Sequence, residues 1–171
     1  MNRTGGIMEI ERKFQITNIP DHLEQYKKKE IEQGYLCMDP VIRIRKSNEN
    51  YILTYKSRIG MVEKSDEIAL TCEEVELALT NESYEHLKEK TDGTLIRKTR
   101  YMIPLEKGLT AELDIFHEQL DGLQFVEVEF PSEEEAGKFI LPHWFGKDVS
   151  FDKRYKNNYL AFVNNYEDLH L

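Results

Sequence analysis

Apolar and polar residues alternate along much of this chain, in short segments separated by turn residues. Such alternation predicts β-strands with one apolar and one polar face. Hairpin signals such as Ser47–Asn50 and Asp121-Gly122 lie between neighbouring segments. The predicted strands are Met8–Ile16, Val41–Lys46, Tyr51–Ser57, Val62–Leu70, Leu95–Ile103, Thr110–His117 and Gln124–Phe130.

Other segments carry a helical pattern of apolar residues. Asp21 is a candidate N-cap for the first helix, and Ser132 precedes an acidic first turn that suits the positive end of a helix dipole. The predicted helices are His22–Glu32, Cys72–Leu79, Ser83–Lys90, one that begins after Ser132, and a last one over Phe151–Asn164.

Apart from Lys13 on the first strand, the polar faces of the strands each carry charges of one sign. The acidic pairs, spaced by two, are Glu9 and Glu11, Glu112 and Asp114, and Glu127 and Glu129. The basic positions are Arg43 and Arg45, Lys98 and Arg100, Lys56 beside Thr54, and Lys13 on the first acidic strand. Residues i and i+2 of a strand share a face, so whole strand faces are acidic or basic.

Two interpretations of these faces are possible. A solvent-exposed sheet face would explain charges at alternate positions, but it usually mixes signs to favour cross-strand ion pairs. A sheet closed into a barrel with the charges inward would form a tunnel with an acidic wall and a basic wall. Arginine is frequent on the basic strands, and its planar guanidinium suits phosphate oxygens, which favours the tunnel.

A tunnel of this kind suits a polyphosphate held by a divalent cation. The basic wall would bind phosphate oxygens, and the acidic wall would need Mg²⁺ or Mn²⁺, both of which prefer oxygen ligands. Metal-activated water would then attack the terminal phosphate in line. The sequence contains no P-loop, no G-x-S-x-G motif and no Cys/His nucleophile pattern.

Composition limits the remaining possibilities. A chain of 171 residues predicts one domain, which we expect over residues 8–171 after a flexible leader of residues 1–7. The net charge of −9 argues against general nucleic-acid binding, and no apolar run is long enough to cross a membrane. The two cysteines lack metal-binding spacing, so we expect a reducing cytoplasm. Monomer and homodimer both stay open.

The ordered set of motifs resembles the CYTH superfamily, the triphosphate tunnel metalloenzymes, and especially its short bacterial members. The resemblance covers about Met8 to Val163 and rests on Glu9-x-Glu11-x-Lys13, Arg43-x-Arg45, Glu112-x-Asp114, Glu127-x-Glu129 and the stretch Val149–Asn157. It implies an α+β fold, an eight-stranded antiparallel β-barrel with helices outside, and metal-dependent hydrolysis of a small triphosphate, with tripolyphosphate the first candidate. One departure concerns the R-x-E-x-E strand of short members, where Lys64–Ile68 stands here and leaves the roles of Lys64, Asp66 and Glu67 open.

The resemblance also implies roles for individual residues. Glu9, Glu11, Glu127 and Glu129 would be metal ligands, and Glu9, Glu11, Lys13, Glu112 and Asp114 would form the catalytic set. The phosphate-binding residues would be Arg43, Arg45, Lys56, Lys98, Arg100 and Lys153.

Two other functions fit the same sequence. A class IV-type adenylyl cyclase would make cyclic AMP from ATP, but it needs an adenine pocket and a base for the ribose hydroxyl that the sequence does not locate. A non-catalytic polyphosphate-binding module would use the basic wall without turnover and would still bind its anion after loss of metal.

Overall fold

A computed structural model of the protein describes residues 6–61 and 66–171. Within these residues antiparallel strands are the main secondary structure. The nine strands are β1 (Ile7–Ile16), β2 (Lys27–Met38), β3 (Val41–Ser47), β4 (Asn50–Ser57), β5 (Leu70–Ala78), β6 (Asp92–Pro104), β7 (Thr110–Phe116), β8 (Gln124–Glu129) and β9 (Phe145–Asp148). The three α-helices are α1 (Asn81–Lys88), α2 (Glu133–Gly137) and α3 (Asn157–Leu160). Short 3₁₀ turns are Leu23–Gln25, Glu106–Gly108, Glu118–Leu120, Lys153–Tyr155 and Tyr166–Leu169.

Eight of the strands close into an antiparallel barrel. The sheet order is β5-β4-β3-β2-β6-β7-β8-β1, and β5 pairs again with β1, which closes the circle. The outer half of β1 pairs with β5 from Ile7 to Glu11, and its inner half pairs with β8 from Glu11 to Phe14. The predicted eight-stranded α+β barrel is therefore confirmed.

On β1, β7 and β8 the outward faces are largely apolar and covered. Phe14, Leu113, Val126 and Val128 are fully buried in a cluster that also contains Trp144, from the segment before β9. Ser132 accepts a hydrogen bond from the Glu135 backbone N–H, so the predicted N-cap of α2 is confirmed. The apolar faces of these strands turn outward, so their charged faces line the barrel interior.

Large side chains fill one end of the barrel. Tyr35, Phe116, Phe125 and Tyr155 are buried together there, in a cluster to which α3 contributes Leu160. Phe116 and Phe125 stack with ring centroids 5.1 Å apart, and Phe125 meets the edge of Tyr155 at 5.8 Å. The segment after β9 thus closes this end of the tunnel.

The helix predicted over His22–Glu32 is wrong. After a 3₁₀ turn, the chain enters strand β2 at Lys27, with β3 and β6 as its neighbours. Lysine and glutamate favour helices in isolation, but a segment hydrogen-bonded on both sides gains more from the sheet. Asp21 therefore caps no α-helix.

Two further helix predictions also fail. Cys72–Leu79 belongs to strand β5, which pairs with both β4 and β1. The long helix expected over Phe151–Asn164 is replaced by a 3₁₀ turn and the short α3, because Tyr155 and Leu160 must both reach the barrel end. The strand predicted over Val62–Leu70 lies partly outside the described residues, and β5 begins at its last residue.

Two remaining expectations concern the N-terminal leader and membrane-spanning segments. Most of the leader expected over residues 1–7 lies outside the described residues, and Ile7 already begins β1. Among the helices that the structure describes, none has the length and apolar character needed to cross a bilayer.

Candidate active site

The order of the strands around the barrel separates the interior charges into two walls. Directly opposite residues in an antiparallel pair share a face, so the register assigns the inward side chains. Adjacent strands β7, β8, β1 and β5 form the acidic wall, with Glu112, Asp114, Glu127, Glu129, Glu9, Glu11, Glu74 and Glu76. Adjacent strands β4, β3, β2 and β6 form the basic wall, which includes Lys56, Arg43, Arg45, Lys98 and Arg100.

The middle of the basic wall holds two arginines that contact no carboxylate within the described residues. Arg43 is only 7% exposed, donates from Nη2 to Thr54 Oγ1 at 3.0 Å and leaves its Nε without an acceptor. Arg45 donates from Nε to Gln33 Oε1 at 3.2 Å. Burial, with Arg43 and Arg100 nearby, lowers the pKa of Arg45 to about 10. Positive charge without a counterion is thus concentrated beside an open donor.

At the boundary between β6 and β7 the two walls meet in buried ion pairs. Arg100 donates from Nε and Nη2 to the two oxygens of Asp114, each at 2.6 Å, and also binds Glu112 and Glu127. Lys98 Nζ lies 2.6 Å from Asp114 Oδ2. Burial and Arg100 lower the pKa of Lys98 to about 8, although Asp114 opposes that shift.

Lys13 lies on the acidic strand β1 and is 4% exposed. Its ammonium is 2.8 Å from Glu127 Oε1 and donates to the Tyr155 carbonyl at 2.9 Å. Burial disfavours charge on Glu127, but Lys13 and Arg100 outweigh it and hold the pKa of this carboxyl well below its usual range. Both oxygens of Glu127 are therefore engaged, and the motif lysine ties the acidic wall to the closed end.

The second boundary between the walls lies at β4 and β5. Lys56 forms an ion pair with Glu9, and its Nζ is 3.3 Å from Glu74 Oε2. The carboxylates around Lys56 raise its pKa despite burial. Cys72 Sγ donates to Glu9 Oε2 at 3.2 Å, and burial together with Glu9 raises the pKa of this thiol to about 12.

The remaining carboxylates crowd the open end of the tunnel. Glu9, Glu74, Glu76, Glu112 and Glu129 all line a cavity of about 860 Å³ at this mouth. Partial burial and the charges of Glu112, Glu9 and Glu11 raise the pKa of Glu129 to about 7. Burial and Glu11 likewise raise the pKa of Glu9. The mouth therefore carries more negative charge than its lysine and arginine partners neutralise.

This donor set fits a hard divalent cation in its chemistry. Several carboxylates converge, and their raised pKa values report repulsion that a cation would relieve. No three His, Cys, Asp or Glu side chains among the described residues are already close enough to coordinate a metal together. Glu9 is instead paired with Lys56, and Glu112 is paired with Arg100. Binding of a metal by these carboxylates therefore requires these ion pairs to break.

The structure gathers all but one of the predicted site residues. Lys153 is exposed on the 3₁₀ turn beside the closed end, apart from the tunnel lining. Sequence reasoning missed Glu74 and Glu76 because β5 was predicted as a helix. The signal was present as Cys72-x-Glu74-x-Glu76 on β5, whose spacing matches the R-x-E-x-E pattern with Cys72 in place of the arginine. Lys64 lies outside the described residues.

Two other described residues belong to the candidate site. Gln33 is buried and bridges Arg45 to the Tyr35 hydroxyl, to which it donates at 2.9 Å. Asn157 Oδ1 lies 3.3 Å from Lys98 Nζ. Neither residue carries a charge, so a search for charged residues at alternate strand positions does not find them. Asp66 and Glu67 lie outside the barrel strands, and Glu67 pairs with Arg58 at 2.8 Å.

A closed antiparallel barrel with one acidic and one basic interior wall defines a charged-tunnel fold. The chain belongs to the CYTH domain family, whose model matches residues 8–153.

Two inorganic triphosphatases are similar to this chain over nearly its whole length. An inorganic triphosphatase of Nitrosomonas europaea is 40% identical over 156 residues, which are 90% of this chain and 96% of that protein. An inorganic triphosphatase of Acetivibrio thermocellus is 32% identical over 156 residues, 90% of this chain and 92% of the relative. The crystal structure of the inorganic triphosphatase NE1496 superimposes with a TM-score of 0.66 at 36% identity, covering 94% of this chain and 99% of that one.

Proposed function

We propose that this protein is a divalent-metal-dependent triphosphatase that releases the terminal phosphate of a small linear triphosphate, with inorganic tripolyphosphate its first substrate. The observation that carries the proposal is the pair Arg43 and Arg45, which lack a carboxylate partner in the described structure and face a wall of crowded carboxylates. A polyanion bound through a cation satisfies both walls together. The names of two relatives, both inorganic triphosphatases, support the substrate class.

The basic wall would bind the phosphate chain. Arg43 offers its unpaired Nε, and Arg45 lies two residues further along the same strand. Charge-assisted hydrogen bonds from guanidinium to phosphate are strong and directional. Lys56, Lys98 and Arg100 flank them at the two boundaries between the walls. We leave Lys153 outside this set because its side chain is exposed beside the closed end.

The acidic wall would hold Mg²⁺ or Mn²⁺. Glu9, Glu11 and Glu129 are the proposed ligands, and Glu74 and Glu76 extend the same oxygen surface. When bound, the metal neutralises phosphate charge and lowers the pKa of a water molecule. Any direct ligation by Glu127 would require it to give up Lys13 or Arg100, so we assign it to positioning these two cations.

Glu112 and Asp114 would play different parts. Asp114 has both oxygens bound to Lys98 and Arg100 and therefore orients the phosphate-binding side chains. Glu112 binds Arg100 through Oε2 and lines the cavity, so its other oxygen can accept a hydrogen bond from the attacking water. Lys13 would keep Glu127 ionised throughout.

We also propose that the protein works in the cytoplasm as a single domain. Cys37 and Cys72 are both free thiols, which fits a reducing cytoplasm. We take residues 8–171 as one domain, because one barrel and its covering segments include the residues described there.

Product analysis tests the function. Purified protein is offered tripolyphosphate, ATP and thiamine triphosphate with Mg²⁺ or Mn²⁺, and both phosphate and cyclic AMP are measured. We expect rapid phosphate release from tripolyphosphate that chelation abolishes. Cyclic AMP from ATP without phosphate release would identify a cyclase instead. Binding of tripolyphosphate with neither product would identify a polyphosphate-binding module.

A further inference from the structure

Strand β2 begins with three consecutive lysines that point to opposite sides of the barrel wall. Lys27 lies opposite Met102, and Lys29 lies opposite Arg100. Directly opposite residues project to the same face, so Lys27 and Lys29 share the interior face with Arg100. Lys28 lies opposite Tyr101 on the outer face, where its Nζ is 3.1 Å from Glu30 Oε1.

The two inward lysines stand at the outer end of the basic wall. Ile31, the next inward residue, is buried, whereas Lys27 and Lys29 are exposed. Met102, opposite Lys27, lines the cavity at the mouth, and so does Lys107 from the turn between β6 and β7. Lys29 is level with Arg100 on the neighbouring strand, and Lys27 lies about 7 Å further toward the mouth, since two residues along a strand advance by that distance.

Their charges are free for a ligand in the described structure. Arg100 and Lys98 are held by carboxylates, and Lys28 is held by Glu30. Neither Lys27 nor Lys29 forms an ion pair with any residue that the structure describes. The opposite wall of the mouth, in contrast, is acidic, with Glu74 and Glu76 in the cavity lining.

The other end of the tunnel cannot take a longer chain. Tyr35, Phe125 and Tyr155 are at most 2% exposed and fill the barrel there. Among the described residues, a phosphate chain longer than the triphosphate therefore has room toward the mouth, from Arg100 and Lys29 outward to Lys27.

We propose that Lys27 and Lys29 form an outer phosphate subsite, through which the tunnel also accepts linear polyphosphates of four or more phosphates beside tripolyphosphate. This inference rests on the proposed function, since it extends the same phosphate track. Each exposed lysine would add a charge-assisted contact weakened by solvent, and the pair together would change the preference about three- to tenfold.

The test compares tetrapolyphosphate with tripolyphosphate. The variant Lys27→Met/Lys29→Met removes both inward charges. The variant Lys28→Met/Lys46→Met removes two outward charges, because Lys28 lies opposite Tyr101, and Lys46 lies opposite Glu32 and over the Tyr51 ring. We measure kcat/KM for both substrates at fixed ionic strength, and binding of both by calorimetry in chelator.

The ratio of kcat/KM for tetrapolyphosphate over tripolyphosphate is expected to fall about three- to tenfold in the inward variant and to stay unchanged in the outward one. An unchanged ratio in the inward variant overturns the subsite, and so does an equal fall in both variants, which would reflect general surface charge. Wild-type protein without phosphate release would refute the proposed function alone, since the binding ratio would still decide whether the subsite exists.

Discussion

Single carboxylates of the acidic wall differ in how their charge is compensated. Glu127 is held by Lys13 and Arg100 and stays ionised, whereas Glu129 meets mainly other carboxylates and has its pKa raised to about 7. These two residues lie two positions apart on one strand. The difference in their neighbours, rather than in their burial alone, separates a structural charge from one that a metal can recruit.

The raised pKa of Glu129 predicts a pH-dependent stability of the metal-free protein. The pKa rises from 4.5 to about 7 on folding, so folding is favoured below pH 4.5 and that contribution is lost as the pH passes 7. In chelator, the unfolding temperature of wild-type protein should therefore fall relative to Glu129→Gln between pH 5 and 8. The exposed variant Glu49→Gln is the control. Parallel curves for wild type and Glu129→Gln would show that the wall is not crowded.

The Cys72 thiol should react slowly with alkylating reagents although it faces the tunnel. Its pKa of about 12 leaves about one thiol in ten thousand ionised at pH 8, and the thiolate is the reactive form. Mass spectrometry after iodoacetamide treatment should find Cys37 alkylated well before Cys72 in the folded protein. In denaturant both cysteines should react alike. Rapid alkylation of folded Cys72 would contradict its hydrogen bond to Glu9.

At the scale of secondary-structure elements, the strands with β-branched outer faces were predictable. Strands such as Val41–Ser47 and Gln124–Glu129 alternate clearly, and their acidic or basic faces predicted the walls. Strands β2 and β5 were not recognised, because lysine, glutamate, leucine and alanine favour helices when pairing partners are unknown. For the same reason, the sequence did not indicate four tunnel residues on these strands, which are Glu74, Glu76, Lys27 and Lys29.

The segment that closes the barrel yields a prediction of its own. Tyr155 packs against Phe125, and its hydroxyl accepts a hydrogen bond from Gln15 Nε2 at 2.6 Å. Tyr155→Ala should lower the free energy of unfolding by about 3–5 kcal/mol, the usual cost of deleting a buried aromatic ring. Tyr155→Phe should cost only about 0.5–1.5 kcal/mol, the value of one hydrogen bond. Equal losses in denaturant titrations would mean that the ring does not fill the barrel end.

At the scale of the whole molecule, barrel closure determines which charged side chains of the two walls become neighbours. Pairing of β5 with β1 brings Glu9 beside Lys56 and Glu74, which are far apart in sequence. The alternation of charges indicated which residues face inward, but the circular order of strands decided which charges become neighbours. That order depends on long-range pairing, which no local pattern encodes.

The two walls also predict separable losses of function. Binding of a polyphosphate in the absence of metal should depend on the basic wall, and turnover should depend on both walls. Removal of one preorganised charge in an enclosed site commonly costs about 10²–10³ in rate. Glu11, which lies opposite Glu129, and Arg45, which binds Gln33, each represent one wall.

The most direct measurement therefore compares wild type, Glu11→Gln and Arg45→Ala with tripolyphosphate, by calorimetry in chelator and by phosphate release with Mg²⁺ or Mn²⁺. Glu11→Gln should keep metal-free binding within about threefold and lose turnover by about 10²-fold or more. Arg45→Ala should weaken binding and lower turnover by about 10²–10³ while it remains folded. A loss of less than about threefold in Arg45→Ala, or full turnover in Glu11→Gln, would contradict the two-walled catalytic tunnel.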